Sequence, residues 1–261
     1  MIKFQSFSSG SSGNATFITD DDTAILIDSG TAGSYMESCL KRLGADGTQL
    51  SGIFLTHAHN DHIAAAGILA RKFQLPLYAT AETFAAGSRQ LGALEPHQLH
   101  IITAGEDIKI GALTIHAFAI PHDIDGAVSY TVADKDSKFG IATDSGYVTE
   151  EMLKNLIGCD TVIVESNHDV EMLQKGPYPY PLKMRILGNG GHLSNNDCGK
   201  LCVKLAQNGT RAFWLGHLSD KNNLPHLAYQ CVSHALEENG FAVGTDVALN
   251  VIPKYWIEET V

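Results

Sequence analysis

The chain has 261 residues, of which 44% are hydrophobic and 18% are charged, a balance that excludes a largely disordered protein. Its 18 basic and 29 acidic side chains give a formal net charge of −11, which argues against an extended basic surface for nucleic acid. No apolar run approaches the roughly 20 residues of a membrane-spanning helix, and the first residues form no apolar signal region. We therefore expect a cytoplasmic protein that does not enter membranes.

Short strands and helices alternate along the chain, and no linker marks a domain boundary, so a single domain is predicted over residues 1–261. Predicted strands cover residues 2–7, 15–19, 23–28, 52–56, 77–79, 99–103, 108–110, 113–120, 127–133, 138–142, 161–165 and 211–215. Predicted helices cover residues 34–43, 63–73, 81–91 and 224–239, and a further helix follows Ser194 and ends before Gly209. This mixture predicts an α/β protein whose two sheets pack together beneath outer helices.

Cysteine and histidine content point to different chemistry. The five cysteines are odd in number and form no Cys-x-x-Cys pair, a pattern typical of reduced thiols rather than of a disulfide framework. The twelve histidines are the unusual feature of the composition, because a chain of this size rarely needs so many for packing.

The segment Thr56-His57-Ala58-His59-Asn60-Asp61-His62 follows an apolar strand and begins a helix. Three imidazoles and a carboxylate so close together are difficult to explain by packing alone. In extended backbone His57 and His59 project to the same side and can bind one ion, whereas Asp61 and His62 lie past the bend and can reach a second. Neutral imidazoles and carboxylates are the ligands that zinc and similar metals prefer, so the segment predicts a metal site.

Three single residues, each placed after a predicted strand, are candidates for the remaining ligands: His122, Asp144 and His217. Each one alone is weak evidence, because a polar residue at a strand end often serves only its own loop. Together with the first segment they complete the coordination of two metal ions, and a carboxylate such as Asp144 can bridge such a pair.

This pattern resembles the metallo-β-lactamase superfamily, whose signature is His-x-His-x-Asp-His followed by a lone His, a lone Asp and a final His. The resemblance extends from about residue 4 to residue 250 and implies an αβ/βα four-layer sandwich with a dinuclear site at one edge. The ligands that it implies are His57, His59 and His122 for one ion, Asp61, His62 and His217 for the other, and Asp144 between them. Asp28 matches the early aspartate of the family, which supports the site from behind its ligands.

Four segments resemble, more narrowly, the YycJ/WalJ-type branch of this superfamily. They are residues 7–14, 165–169, 181–195 and 216–219 with 222–223. Proteins of that branch are metal-dependent exonucleases that act on DNA from the 5′ end and are linked to mismatch repair. The resemblance therefore implies a dinuclear phosphodiester hydrolase with DNA as its substrate, with Zn²⁺ as the default metal and Mn²⁺ as its competitor.

Residues 191–194, with the sequence Gly-His-Leu-Ser, are repeated at 216–219, and we expect each copy to lead into a helix. His217 follows a buried strand, which suits a rigidly held metal ligand, whereas His192 follows a glycine-rich and therefore mobile segment. We assign His192 to acid–base catalysis, since an imidazole can protonate a leaving alkoxide, and we expect Asp61 or Asp144 to accept the proton of the attacking water.

Candidate substrate contacts lie close to His192 in the sequence. Lys183 and Arg185 are cations ahead of a predicted helix N-terminus at Ser194, where amides and the helix dipole can bind phosphate. His168 follows the strand at 161–165 and either contacts the substrate or a ligand, or caps a turn.

Other functions fit the same residues. The acidic net charge favours a small-molecule phosphodiesterase or a thioesterase of the glyoxalase type over a nuclease, although Lys183 and Arg185 argue against the thioesterase. A non-catalytic metal-binding protein would have no need of so complete a ligand set. The oligomeric state stays open, because edge strands pair equally well within one chain or across a dimer.

Overall fold

The computed structural model of the protein describes residues 1–256. The strands are β1 (Lys3–Ser8), β2 (Ala15–Thr19), β3 (Ala24–Ile27), β4 (Leu50–Phe54), β5 (Leu77–Ala79), β6 (Leu99–Ile101), β7 (Asp107–Ile110), β8 (Leu113–Ala119), β9 (Val128–Ala133), β10 (Lys138–Ala142), β11 (Thr161–Glu165), β12 (Ala212–Gly216) and β13 (Ala248–Val251). The α-helices are α1 (Gly33–Arg42), α2 (Asn60–Ile63), α3 (Ala66–Phe73), α4 (Ala81–Leu91), α5 (Glu150–Leu156), α6 (Val170–Lys175), α7 (Tyr180–Leu187), α8 (Asn195–Gln207) and α9 (Pro225–Glu238).

The strands form two sheets with the same internal plan. In the first sheet β1, β2 and β3 are antiparallel neighbours, and β4, β5 and β6 continue from β3 as parallel strands. In the second sheet β7 to β10 are antiparallel, and β11, β12 and β13 continue from β10 in parallel. Every connection between sequential parallel strands contains a helix, as such crossovers usually do.

Three apolar clusters define four layers. The inner cluster lies between the two sheets and includes Phe54 and Tyr130. Helices α1 and α3 cover the outer face of the first sheet through residues such as Leu69, and α5, α8 and α9 cover the second sheet through residues such as Val232. The order helix, sheet, sheet, helix confirms the predicted αβ/βα sandwich.

Two expectations from composition can be compared with the described residues. All five cysteines are free, and four of them are buried. The longest α-helix in residues 1–256, α9, has 14 residues, and no helix there is long and apolar enough to cross a bilayer, which takes about 20 residues.

The structure differs from the predicted elements around the histidine segment and in the last third of the chain. The helix predicted over residues 63–73 is divided into α2 and α3, because the N–H of Ala65 donates to the carbonyl oxygen of Ser29 (2.8 Å) instead of continuing the helix. The short elements α5, α6, α7 and β13 are additions to the prediction. The second Gly-His-Leu-Ser copy starts at the last residue of β12, and a loop leads from it into the expected helix, α9, which begins at Pro225.

The turn after β3 lies directly against the start of α2. A Cβ atom on Gly30 would lie 1.6 Å from the carbonyl oxygen of Asp61, so only glycine permits this approach. The N–H of Gly30 donates to the carbonyl of Asn14 (2.9 Å), and the N–H of Asn14 donates to the carbonyl of Asp61 (2.7 Å). The first three strands are thereby fixed to the segment that carries Asp61.

Candidate metal centre

Polar side chains from both sheets meet at one edge of the sandwich. Each follows the carboxyl end of a strand, with His57 after β4, His122 after β8 and His217 after β12. Because β10, β11 and β12 are parallel neighbours, Asp144, Glu165 and His217 come to the same edge. In open α/β sheets this edge is the usual position of a ligand site.

Three of the residues at this edge have backbone conformations that are rare outside glycine. Asp28, Asp144 and His217 have φ values of +60°, +58° and +54°. These values lie in the left-handed region, where a side chain crowds its own backbone. Each residue turns the chain sharply out of a strand, and such strained positions are concentrated at functional sites.

Three histidines form what we call the first cluster. Nε2 of His57 lies 3.0 Å from Nδ1 of His59, and that atom lies 3.2 Å from Nε2 of His122. Burial lowers the pKa of His57 well below its usual value, and burial also lowers the pKa of His59 and His122. The imidazoles are therefore neutral at neutral pH, which is the form that binds metal ions.

Asp61, His62 and His217 form the second cluster, in which the three ligand atoms lie within 4.8 Å of one another. Nε2 of each histidine faces Oδ2 of Asp61, at 3.7 Å for His62 and 3.8 Å for His217. Oδ2 of Asp144 lies 3.2 Å from Nε2 of His62. Asp144 also groups with His57 and His62, so it lies between the two clusters.

The surroundings of the second cluster fit a bound cation. Burial lowers the pKa of His217, but the charge of Asp144 and the hydrogen bond from its Nδ1 to Glu165 raise it to about 10, so this position favours positive charge. Nε2 of His217 and Oδ2 of Asp144 are buried without a hydrogen-bond partner in residues 1–256. Because unpartnered buried polar atoms are costly, the histidine and carboxylate donors fit divalent metal ions.

Asp28 supports His62 from the side away from the clusters. Its Oδ2 accepts from Nδ1 of His62 (2.7 Å), and the same carboxylate accepts from the N–H (2.9 Å) and the hydroxyl (2.8 Å) of Thr56. A proton held on Nδ1 leaves Nε2 directed toward the second cluster, as outer partners of metal-binding histidines commonly arrange.

Glu165, the last residue of β11, is a buried carboxylate that the sequence reasoning missed. Its Oε1 accepts from Nδ1 of His192 (2.8 Å) and from Nδ1 of His217 (2.7 Å), while Oε2 accepts from two backbone N–H groups. Burial raises the pKa of Glu165, but the charges and hydrogen bonds of the two histidines lower it to about 2, so the carboxylate is charged. Parallel strand register was the available signal, because Glu165 pairs with Gly216, immediately before His217.

His192 lies in a cavity of about 360 Å³ beside both clusters. Burial lowers its pKa, but the charge of Glu165 raises it above the usual value. The glycine-rich segment ahead of His192 packs closely against backbone. A Cβ on Gly191 would lie 2.0 Å from the carbonyl oxygen of Ile186, and one on Gly146, in the loop after β10, would lie 2.1 Å from that of Asn189. The absence of a side chain at these glycines permits close contact between backbones.

The structure places three of the predicted substrate residues outside the cavity lining. Nζ of Lys183 donates to the carbonyl oxygen of Gln174 (2.7 Å). The hydroxyl of Ser194 caps α8, where it accepts from the N–H of Asp197 (3.2 Å) and donates to its carboxylate (2.7 Å). His168 is 1% exposed, and neither of its ring nitrogens has a hydrogen-bond partner among residues 1–256.

Arg185 is the predicted cation that does reach the cavity. It lies on α7, and its Nε and Nη2 atoms pair with the carboxylate of Asp123. Oδ1 of Asp123 in turn lies 3.3 Å from Nε2 of His59. These contacts connect α7 to the first cluster.

The sequence of this chain matches a known protein family. The model of the metallo-β-lactamase superfamily matches residues 9–217. Exodeoxyribonuclease YycJ of Bacillus anthracis is 36% identical over 243 residues, which cover 93% of this chain and 92% of that protein. Exodeoxyribonuclease WalJ of Streptococcus pneumoniae serotype 2 (strain D39) is 36% identical over 247 residues, covering 94% and 92%.

A solved structure shows the same fold at low sequence identity. The metallo-β-lactamase fold protein YhfI from Bacillus subtilis superposes with a TM-score of 0.74, covers 98% of both chains and is 14% identical. At this identity the likeness concerns the fold alone, and it agrees with the four layers described above.

Replacing Glu165 by glutamine tests its contact with His217. The variant keeps the size of the side chain but removes the charged acceptor from Nδ1, so we expect the second cluster to bind its metal ion about 10- to 100-fold more weakly. Competition with a chelator measures this affinity. Glu171→Gln, which alters an exposed carboxylate of α6, is the control and should bind as the wild type does. Equal affinities in wild type and Glu165→Gln would contradict the assignment.

Proposed function

We propose that this chain, which belongs to the metallo-β-lactamase superfamily, hydrolyses phosphodiester bonds at the ends of DNA. The observation that carries the proposal is the pair of clusters beside Asp144, next to a cavity that contains His192 and Arg185. The two exodeoxyribonucleases, similar over 93% and 94% of the chain, support DNA as the substrate. We extend the proposal to 5′-to-3′ removal of nucleotides in DNA repair.

The chain is a metal-dependent hydrolase. Its proposed metal ligands fall into the two clusters described above. They are His57, His59 and His122 for one ion, Asp61, His62 and His217 for the other, and Asp144 between them. A pair of bound divalent ions acidifies water and neutralises the charge of phosphoryl oxygens. We propose Zn²⁺ or Mn²⁺, because five imidazoles with two carboxylates suit either metal.

The protein's own groups then move two protons. Asp61 accepts the proton of the attacking water, because it lines the cavity and its side chain is 24% exposed, against 3% for Asp144. His192 donates a proton from Nε2 to the leaving alkoxide, since its Nδ1 is held by Glu165. Arg185 faces the same cavity and contacts a phosphate of the substrate when the phosphate replaces Asp123.

A small phosphodiester is the second candidate substrate. The net charge of −11 opposes broad contact with a DNA backbone. The cavity of about 360 Å³ is also large enough for a small molecule. Within residues 1–256, Arg185 is the one lysine or arginine among the residues that line the cavity. One such side chain is enough to bind the single phosphate of a small phosphodiester.

We further propose that residues 1–261 act as one catalytic domain in the cytoplasm. The proposed ligands come from loops of both sheets, and these sheets share one buried apolar cluster. Free cysteines, of which this chain has five, are the rule in a reducing compartment.

Linear duplex DNA labelled at its 5′ or its 3′ end tests the proposed activity. Metal-loaded protein should release the 5′ label first, and Asp61→Ala should slow release at least about 100-fold, because the variant lacks a ligand and a proton acceptor. Asp107→Ala removes an exposed carboxylate from β7 and should cleave at the wild-type rate. Failure to cleave DNA with either metal, together with rapid hydrolysis of a small phosphodiester, would favour the second candidate.

The acid role of His192 predicts a dependence on the leaving group. His192→Gln should lower kcat on DNA about 10²- to 10⁴-fold, because the departing alkoxide needs a proton. The same variant should lose much less activity on bis-p-nitrophenyl phosphate, since nitrophenolate leaves without protonation. Steady-state kinetics on both substrates, with metal content measured in parallel, separate the two effects. An equal loss on both substrates would show that His192 acts in some other way.

A further inference from the structure

Tyr178 lies in the wall of the cavity that contains His192 and Arg185. It belongs to residues 176–179, with the sequence Gly-Pro-Tyr-Pro, which join α6 to α7. Tyr178 is not among the substrate contacts predicted from the sequence, which have charged, imidazole or hydroxyl side chains. Apart from the histidines, Tyr178 is the one aromatic residue in the described part of the chain that lines this cavity.

The backbone on both sides holds Tyr178 in place. Pro177 has a restricted φ, and a residue that precedes proline, as Tyr178 precedes Pro179, is confined to extended conformations. Gly176 fits closely at the start of the turn, since a Cβ there would lie 2.6 Å from the carbonyl oxygen of Met172. A backbone restricted in this way has less conformational freedom to lose when a flat ligand binds against the ring.

The ring of Tyr178 has no evident task in the fold. Two other tyrosines use their hydroxyls to fix the backbone: Tyr35 donates to the carbonyl oxygen of Phe7 (2.7 Å) and Tyr130 donates to that of Leu55 (2.7 Å). Within residues 1–256, Tyr178 makes no comparable hydrogen bond and stacks on no other aromatic ring. Its half-buried ring is therefore available to a ligand in the cavity.

We propose that Tyr178 is a stacking platform for the base of one unpaired terminal nucleotide, an inference that rests on the proposed hydrolysis of phosphodiesters. The cavity of about 360 Å³ lies near the lower end of the range of about 300–1,000 Å³ for small-ligand sites, so it holds about one nucleotide. A base on Tyr178 places its phosphate among Arg185, His192 and the clusters. Stacking accepts any base, because every base has a flat π face.

Tyr180 provides a matched control two residues away. It has the same side chain and is likewise flanked by prolines, Pro179 and Pro181. Its side chain, however, is 74% exposed and does not line the cavity. Loss of the Tyr180 ring should therefore leave nucleotide binding unchanged.

The proposal predicts how the base contributes to binding. Deoxyadenosine monophosphate should bind the metal-loaded full chain about 5- to 150-fold more tightly than deoxyribose 5-phosphate, which lacks the base. Tyr178→Leu should remove this preference without changing the affinity for deoxyribose 5-phosphate. Tyr178→Phe and Tyr180→Leu should keep the preference. Titration calorimetry measures all four proteins, and bound metal shows that each variant is folded.

Two results would overturn the stacking platform. One is equal binding of the two ligands by the wild type, which needs no variant to fold. The other is a preference that survives in Tyr178→Leu. Failure of the proposed function gives a different result: the wild type leaves DNA ends intact, yet the base preference exists and depends on Tyr178, which would support the platform as a mononucleotide site.

Discussion

The metal centre depends on the sharp turns that the chain makes where strands end. Asp28, Asp144 and His217 all have left-handed backbone there, a conformation that costs on the order of 1–3 kcal/mol for a residue with a side chain. Neighbouring groups hold these turns: the N–H of Asp28 donates to the carbonyl of Phe54 (2.8 Å), and that of His217 donates to the hydroxyl of Ser9 (2.8 Å). The packed sandwich thus offsets the strain and keeps the donor atoms in place.

The two clusters differ in their electrostatics. Burial keeps the imidazoles of the first cluster neutral. In the second cluster the carboxylates dominate, and burial is outweighed at His217 by Asp144 and its other acidic neighbours. The first cluster therefore offers only neutral donors, and the second cluster offers negative charge. The two clusters are thus chemically distinct before any substrate binds.

Glu165 joins this centre to the proposed acid. One carboxylate oxygen accepts from both His192 and His217, so the proposed acid and a proposed metal ligand share the same support. Asp123 likewise connects Arg185 of α7 to His59. Two buried or half-buried carboxylates therefore each contact both a proposed metal ligand and a proposed catalytic or substrate-binding residue.

The four layers could be predicted from the alternation of strands and helices. The grouping of the proposed ligands could also be predicted, because residues 57–62 are close in sequence and the lone ligands follow recognisable strands. The role of Glu165 could not be predicted, because a glutamate at a strand end resembles any solvated residue until the neighbouring strand is placed. The pair of Arg185 and Asp123 joins positions 62 residues apart. Glycine content alone also does not distinguish a mobile loop from one packed against backbone, as residues 188–191 show.

Anomalous X-ray diffraction from crystals soaked in manganese or zinc would locate the metal ions directly. If the strand-end residues hold a dinuclear centre, two anomalous peaks should appear about 3.5–4 Å apart, one at each cluster, with Asp144 between them. A single peak, or peaks away from both clusters, would contradict the dinuclear centre on which the proposed hydrolysis depends.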